Sequence, residues 1–308
     1  MIEYIEKSAG QPARKSPDPA GGSWINVEAP TKIELHALAE RFNLDRGNLR
    51  DALDGGEVPR FEKRGRVSYI FLRYAYAKSS GETGTAPLLI VVGTGGLITI
   101  SPAHLGGLDK LLSSDSTADT VRPDELALLL LDRIYDDFDF FIRGTAHRIQ
   151  EAVSKMSKHQ LENEDFVGFV NVEEELNDFL GALTPATAVL RRAQTGRGLA
   201  LDKAGQDSLD DILLGIEQSI NSCNSNLRRI VSVREAYSTL SNNSLNRSMK
   251  TLTAATLLIA LPNVVFGMYG MNIALPFQHK IWAYALIVGG TLFVVLLIFV
   301  VARWRKWF

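Results

Sequence analysis

Apolar and polar positions change rhythm three times along this chain. From residue 23 to residue 100, short apolar, β-branched and aromatic runs are separated by turn residues. Ser23-Trp24-Ile25-Asn26-Val27, Arg60-Phe61-Glu62, Arg66 to Tyr74, Leu88 to Val92 and Leu97 to Ile100 predict strands. Two helices fall among them. Pro30-Thr31-Lys32-Ile33-Glu34 opens one that runs through Phe42, with Ile33, Leu35, Leu38 and Phe42 near helical spacing; a shorter one covers Arg46 to Leu53 and ends at Gly55-Gly56. The first 22 residues, broken by Pro12, Pro17, Pro19 and Gly21-Gly22, read as a loose start. Gly93-Thr94-Gly95-Gly96 reads as a hairpin turn between two strands. As a phosphate-binding loop it lacks the Gly-Lys-Ser/Thr ending and a following helix. Residues 1–115 therefore form a mixed α/β domain.

From Pro123 the periodicity is helical. One helix is predicted from Pro123 to Lys158 and a second from Asn163 to Gln194, ended by Thr195-Gly196-Arg197-Gly198. After Asp207 the next proline is Pro262. Between them Ile212, Ile216, Ile220, Leu227, Ile230, Val233, Tyr237 and Leu240 recur at helical steps, with one seven-residue gap. They predict a single helix from about Gln206 to Gly270, on the order of 100 Å long at 1.5 Å per residue. Such a helix would carry movement at one end to the other, with Gly215 a weak point costing about 1 kcal/mol against alanine.

The third rhythm is unbroken hydrophobicity. No Asp, Glu, Lys or Arg occurs from Thr251 to His279, or again from Ile281 to Ala302. A membrane-crossing helix needs about 20 apolar residues, so two spans are expected, about 251–271 and 281–302. The loop from Asn272 to Lys280 is too short for a domain and makes them a hairpin. Arg247 and Lys250 precede it, Arg303, Arg305 and Lys306 follow it, and only Lys280 lies in the loop, which places both chain ends in the cytoplasm. Trp304, Trp307 and Phe308 suit the inner interface, and Trp282 and Tyr284 the outer one. The expected organisation is a cytoplasmic α/β domain (1–115), a cytoplasmic helical region with a stalk helix (116–245) and a transmembrane hairpin (246–308).

Composition narrows the chemistry. Met1 to Ala20 is too polar for a signal peptide. The single Cys223 excludes an internal disulfide and a Cys-based zinc cluster, and a net charge of −2 gives no footprint for nucleic acid. His36, His104, His147 and His159 show no ligand spacing, and Glu173-Glu174-Glu175 reads as a solvated acidic patch. No Ser/His/Asp set, P-loop or carboxylate pair points to an enzyme.

The helix entering the membrane carries a candidate pore face. Steps of three and four from Asn246 give Asn246, Met249, Thr253 (or Leu252), Thr256, Ala260, Asn263 and Gly267, all small, polar or flexible. Leu257, Leu258, Leu261, Val264 and Val265 form the opposite side. In lipid the apolar side turns outward and the polar side toward protein or water. One helix encloses nothing, so copies must gather about an axis, unless the stripe serves only helix packing. Tyr269-Gly270-Met271-Asn272 closes this span. Mg²⁺ holds its waters tightly, and a ring of Asn272 amide oxygens can accept hydrogen bonds from those waters without stripping them. Gly270 allows the turn and Met271 braces it. Asn263 offers a second polar ring, Met249 and Leu252 an apolar collar suited to gating by dewetting, and Pro262 a bend.

The Gly-Met-Asn turn after the first of two C-terminal spans resembles the CorA family of divalent-cation channels. So does the run Met249-Lys250-Thr251-Leu252-Thr253 with Gly267-Met268-Tyr269-Gly270-Met271-Asn272. Weaker likeness lies in Trp24-Ile25-Asn26, Val58-Pro59-Arg60-Phe61-Glu62 and Asp132 to Phe138. The resemblance implies a funnel-shaped homopentamer in the cell membrane, passing hydrated Mg²⁺, with Co²⁺ and Ni²⁺ as further candidates. It also implies sensing of intracellular Mg²⁺ by carboxylates between subunits. Here these fall at Asp51, at Asp211 with Asp210 beside it, and at Glu235 lower in the pore. Two departures matter. Arg50 stands where the family has an acid beside Asp51, and Ile273 to Lys280 contains no acid to concentrate cations at the mouth. His279 leaves room for a softer metal, so a Zn²⁺ transporter of the same superfamily is the alternative within this class. A membrane-tethered scaffold or sensor is the alternative outside it. The partners expected are further copies of the chain, the bilayer and divalent ions.

Overall fold

The computed structural model describes residues 1–18, 21–78, 81–157, 163–194, 198–271 and 280–304. The chain divides into two compact units, Met1–Val231 and Ser232–Phe308. The first begins with a seven-stranded sheet: β1 (Ile2–Glu6), β2 (Arg14–Ser16), β3 (Trp24–Glu28), β4 (Arg60–Arg64), β5 (Val67–Ala77), β6 (Thr83–Val92) and β7 (Leu97–Ser101). They lie in the order β2-β1-β3-β7-β6-β5-β4. β3 and β7 run parallel, with Trp24 opposite Leu97 and Val27 opposite Ile100; the other neighbouring pairs described are antiparallel.

Both faces of this sheet are covered, which is why β6 reads as a continuous apolar run rather than an alternation. One face packs Tyr69, Phe71, Leu89, Val91, Ile98 and Ile100 against Leu35, Leu38 and Leu49 of α1 (Lys32–Phe42) and α2 (Arg46–Asp51). α1 starts on a capping box, Thr31 accepting from the Glu34 N–H while the Glu34 carboxylate accepts from the Thr31 N–H at 2.7 Å. It ends on Asn43 in the left-handed region. α4 (Pro123–Ser157) and α5 (Asn163–Arg192) pack on β5 and β6. They meet each other through Phe138 and Phe179, whose rings stand edge to face at 5.4 Å. The turn at Gly93 to Gly96 is a hairpin between β6 and β7. A Cβ on Gly93, at φ +105°, would stand 2.2 Å from the Arg66 carbonyl oxygen, and one on Gly96 would stand 2.3 Å from that of Ser23.

Two expectations are corrected. The first 22 residues are not a loose start, because they supply β1 and β2. Ile5 is buried against Trp24 across the ladder, and Pro12 lies in the connection between the two strands rather than within either. Lys7 is buried as well, its Nζ donating to the carbonyl oxygens of Gln11 (2.7 Å) and Ser116 (3.3 Å). Nor is Glu175 part of a solvated patch. It is buried and paired with Arg148 of α4, one turn from Thr145, whose hydroxyl lies 3.5 Å from the Asn226 amide nitrogen. A short α3 (Leu108–Leu112) also went unpredicted.

α6 (Lys203–Tyr269) is one uninterrupted 67-residue helix that contains Pro262. In the first unit it buries Leu209, Ile212, Ile216, Cys223 and Ile230. Burial pushes the Cys223 thiol up to about 12, and only the thiolate reacts with maleimides. The folded protein is therefore expected to resist labelling at pH 8 and to label fully in denaturant, read by mass spectrometry. Rapid labelling of native protein would mean that this stretch of α6 is open.

In the second unit α7 (Ile281–Trp304) follows α6, and both helices are long and apolar enough to cross a membrane. They bury small residues, Ala254 on α6 and Ala283, Thr291 and Ala302 on α7. They also line a common apolar groove of about 350 Å³ through Leu261 and Val265 on one side and Ile287, Gly290 and Val294 on the other.

Candidate functional site

Leu261 and Val265 of α6 line the groove shared with α7, and Ala254 and Leu258, on the same side of the helix, are buried and half-buried. At ~100° per residue, the stripe Asn246, Met249, Thr253, Thr256, Ala260, Asn263 and Gly267 lies roughly 150° from that face. Every one of its members is exposed, as is Leu252. Intrachain packing therefore does not use the stripe. The Thr253 and Thr256 hydroxyls donate to the carbonyl oxygens of Met249 (2.8 Å) and Leu252 (2.9 Å). That satisfies their protons inside the helix and leaves the oxygens as acceptors. With the Asn263 amide, these are neutral groups that can hold a hydrated cation without trapping it.

At the far end the helix tightens before it stops. The Gly270 N–H donates to the carbonyl oxygens of Phe266 (3.0 Å) and Gly267 (3.2 Å), and the Met271 N–H to that of Met268 (3.2 Å). Gly270 and Met271 are exposed there. Asn272, the loop through His279, and Arg305 to Phe308 lie outside the described residues.

The four carboxylates considered as an intracellular sensor have unequal surroundings. Asp51, at the end of α2, accepts from Arg60 Nη2 at 3.0 Å. Arg60 also pairs with Glu57 and Glu62 and lies 3.7 Å over the Phe71 ring. This cation, nine residues away across a turn, is a partner that no local pattern announced. Asp210 accepts from Gln194 Nε2 at 2.7 Å. Asp211 borders a cavity of about 540 Å³ between the starts of α4 and α6, together with Arg122, Glu125, Asp132 and Asp202. Burial raises the Asp132 carboxyl above its ordinary range, and the charge on Asp136 adds to this. Glu235 is exposed on α6. Among the described residues, no three His, Cys, Asp or Glu side chains converge as metal ligands.

A sheet domain covered on both faces stands on the same chain as two helices long and apolar enough to cross a membrane, one of them the 67-residue α6. The family is set by comparison: the model of the CorA-like Mg²⁺ transporter protein family matches residues 19–303, and the chain belongs to that family. The cobalt/magnesium transport protein CorA of Methanocaldococcus jannaschii is 21% identical over 290 residues, covering 92% of this chain and 90% of that protein. The complete structure of the CorA magnesium transporter from the same organism matches at a TM-score of 0.86 and 20% identity, over 100% of this chain and 99% of that one. The full-length CmaX protein matches at 0.76 and 18% identity, over 99% and 98%. At such identities the structural likeness speaks for the fold, and the family match for divalent-cation transport rather than enzymatic chemistry.

Proposed function

We propose that this protein is a channel for hydrated Mg²⁺, formed by five copies of the chain around the exposed stripe of α6. The observation that carries the reading is the placement of that stripe: polar and small positions all exposed, on the side of α6 away from α7. Lipid is a poor neighbour for Asn246, Thr256 and Asn263, so another copy or water must cover them. Asn272 would ring the entrance with neutral amides, supported by Gly270 and Met271. Co²⁺ and Ni²⁺, which also travel as hexahydrated dications, would fit the same ring. Arg247 and Lys250 before the hairpin and Arg303 after it favour cytoplasmic ends in the cell membrane. The membrane potential then drives entry, at about 4.6 kcal/mol per 100 mV for a doubly charged ion.

The test is flux of labelled Mg²⁺ and Zn²⁺ into liposomes holding the purified full-length protein, with an imposed potential. Mg²⁺ entry that grows as the interior becomes more negative, and falls at least tenfold in Asn272→Ala, is the expected result. Zn²⁺ entry without Mg²⁺ entry would move the assignment to the zinc branch. Flux equal to that of empty liposomes would leave the hairpin as an anchor.

A further inference from the structure

The seam between α6 and α7 is not closed along its whole length. The groove of about 350 Å³ between them has Leu261, Val265 and Tyr269 on one wall and Leu286, Gly290 and Val294 on the other. A Cβ built on Gly290 would meet nothing within 4 Å outside its own stretch of helix, so this glycine does not serve to bring α7 closer to α6. Thr291 also borders the groove, but its hydroxyl donates to the Ile287 carbonyl oxygen at 2.8 Å. Walls as apolar as these hold no water, and packed protein leaves few gaps of this size.

Depth, width and direction say what fills it. At 1.5 Å per residue, Leu286 and Val294 lie about 8 and 20 Å from the start of α7. One leaflet of hydrocarbon is about 15 Å deep, so most of the groove runs at the level of one leaflet's acyl chains. Spread over about 12 Å of helix, its volume gives a cross-section of about 30 Å². That admits a single hydrocarbon chain and is far too narrow for a helix about 10 Å across. Leu261 and Val265 lie on the side of α6 away from the stripe, and copies that gather on the stripe leave the outer side of the hairpin to lipid. Charge completes the picture. Lys280 is exposed, directly precedes α7, and is the only Asp, Glu, Lys or Arg from Thr251 to Ala302.

We propose that the α6–α7 groove holds one acyl chain of an anionic phospholipid, whose phosphate pairs with Lys280. The inference rests on the reading that the hairpin crosses the bilayer and that copies gather on the stripe. The chain supplies the packing that neither helix provides beside Gly290. Lys280 selects the head, since a lysine at the membrane surface favours anionic lipid.

The experiment counts lipid on the full-length protein by native mass spectrometry, after detergent exchange and titration with phosphatidylglycerol or phosphatidylcholine. The parent is expected to keep one phosphatidylglycerol per chain and at least fivefold less phosphatidylcholine. Gly290→Leu, whose side chain fills the groove, should cut retained lipid at least fivefold, and Val294→Phe should act in the same direction from the inner end. Gly289→Leu, about 100° around the helix, should leave retention unchanged, and Lys280→Gln should remove the headgroup preference. Equal retention by the two leucine variants would overturn the site, because the lipid would then only surround the protein. So would a Gly290→Leu protein that dissociates to monomers, because the groove would then seat a neighbouring copy. An oligomeric parent that conducts Mg²⁺ and keeps no lipid would overturn the site alone. A monomeric parent whose lipid depends on Gly290 would remove the pore reading alone.

Discussion

Replacing Asn263 with leucine is expected to reduce Mg²⁺ flux in liposomes at least a hundredfold while the protein still folds and assembles. Asn263 is exposed on the face of α6 away from α7, so its loss leaves no cavity within the chain. In a ring of copies it would supply acceptors about midway along the span. Leucine would replace them with an apolar collar that cannot bond to the waters around the ion, and a narrow apolar collar also tends to lose its own water. A barrier raised by about 3 kcal/mol accounts for a hundredfold. Asn263→Ser, which keeps an acceptor, should retain much of the flux. Val264→Leu, about 100° around the helix and on the apolar side, should change it less than twofold. Parent-like conduction by Asn263→Leu would show that the stripe packs helices and lines no pore.

That stripe was legible because helical periodicity is a local property: steps of three and four mark a face whether or not the partner is known. The same reason made α1, α2, α4, α5, α6 and the strands β3 to β7 readable, helped by the Thr31 cap and the glycines of the β6–β7 turn. β1 and β2 were hidden because short strands owe their stability to the neighbour they pair with; Tyr4 and Ile5 make sense only beside Ile25 and Trp24. Contacts distant in sequence were equally silent. The Asp51–Arg60 and Arg148–Glu175 pairs depend on how elements come together, and each changes what its carboxylate can do. A buried glutamate inside a run of three looked like surface charge because a run has no face until a helix packs against it.

Trp24→Ala is expected to be the most damaging single change in the first unit. Trp24 is 1% exposed and lies on β3, between β1 and β7, where it faces Ile5 on one side and Leu97 on the other. Its indole N–H donates to Thr99 Oγ1 at 3.0 Å, and the Thr99 hydroxyl donates to Asn26 Oδ1 at 2.8 Å. Alanine removes the ring volume and one acceptor's partner at once. The expected cost is about 3–5 kcal/mol for the cavity and roughly 1 kcal/mol for the hydrogen bond. Thr99→Val, which strands the indole N–H in a buried site, should cost roughly 1–3 kcal/mol. Trp24→Phe should fall between the two. The comparison is made on full-length protein in detergent by thermal melting followed in the near ultraviolet, where the buried Tyr69 and Tyr74 of the sheet contribute to the signal in every variant. If Trp24→Ala melts with the parent, the only parallel strand pair described is not where the sheet draws its stability, and the core must be centred on β5 and β6 instead.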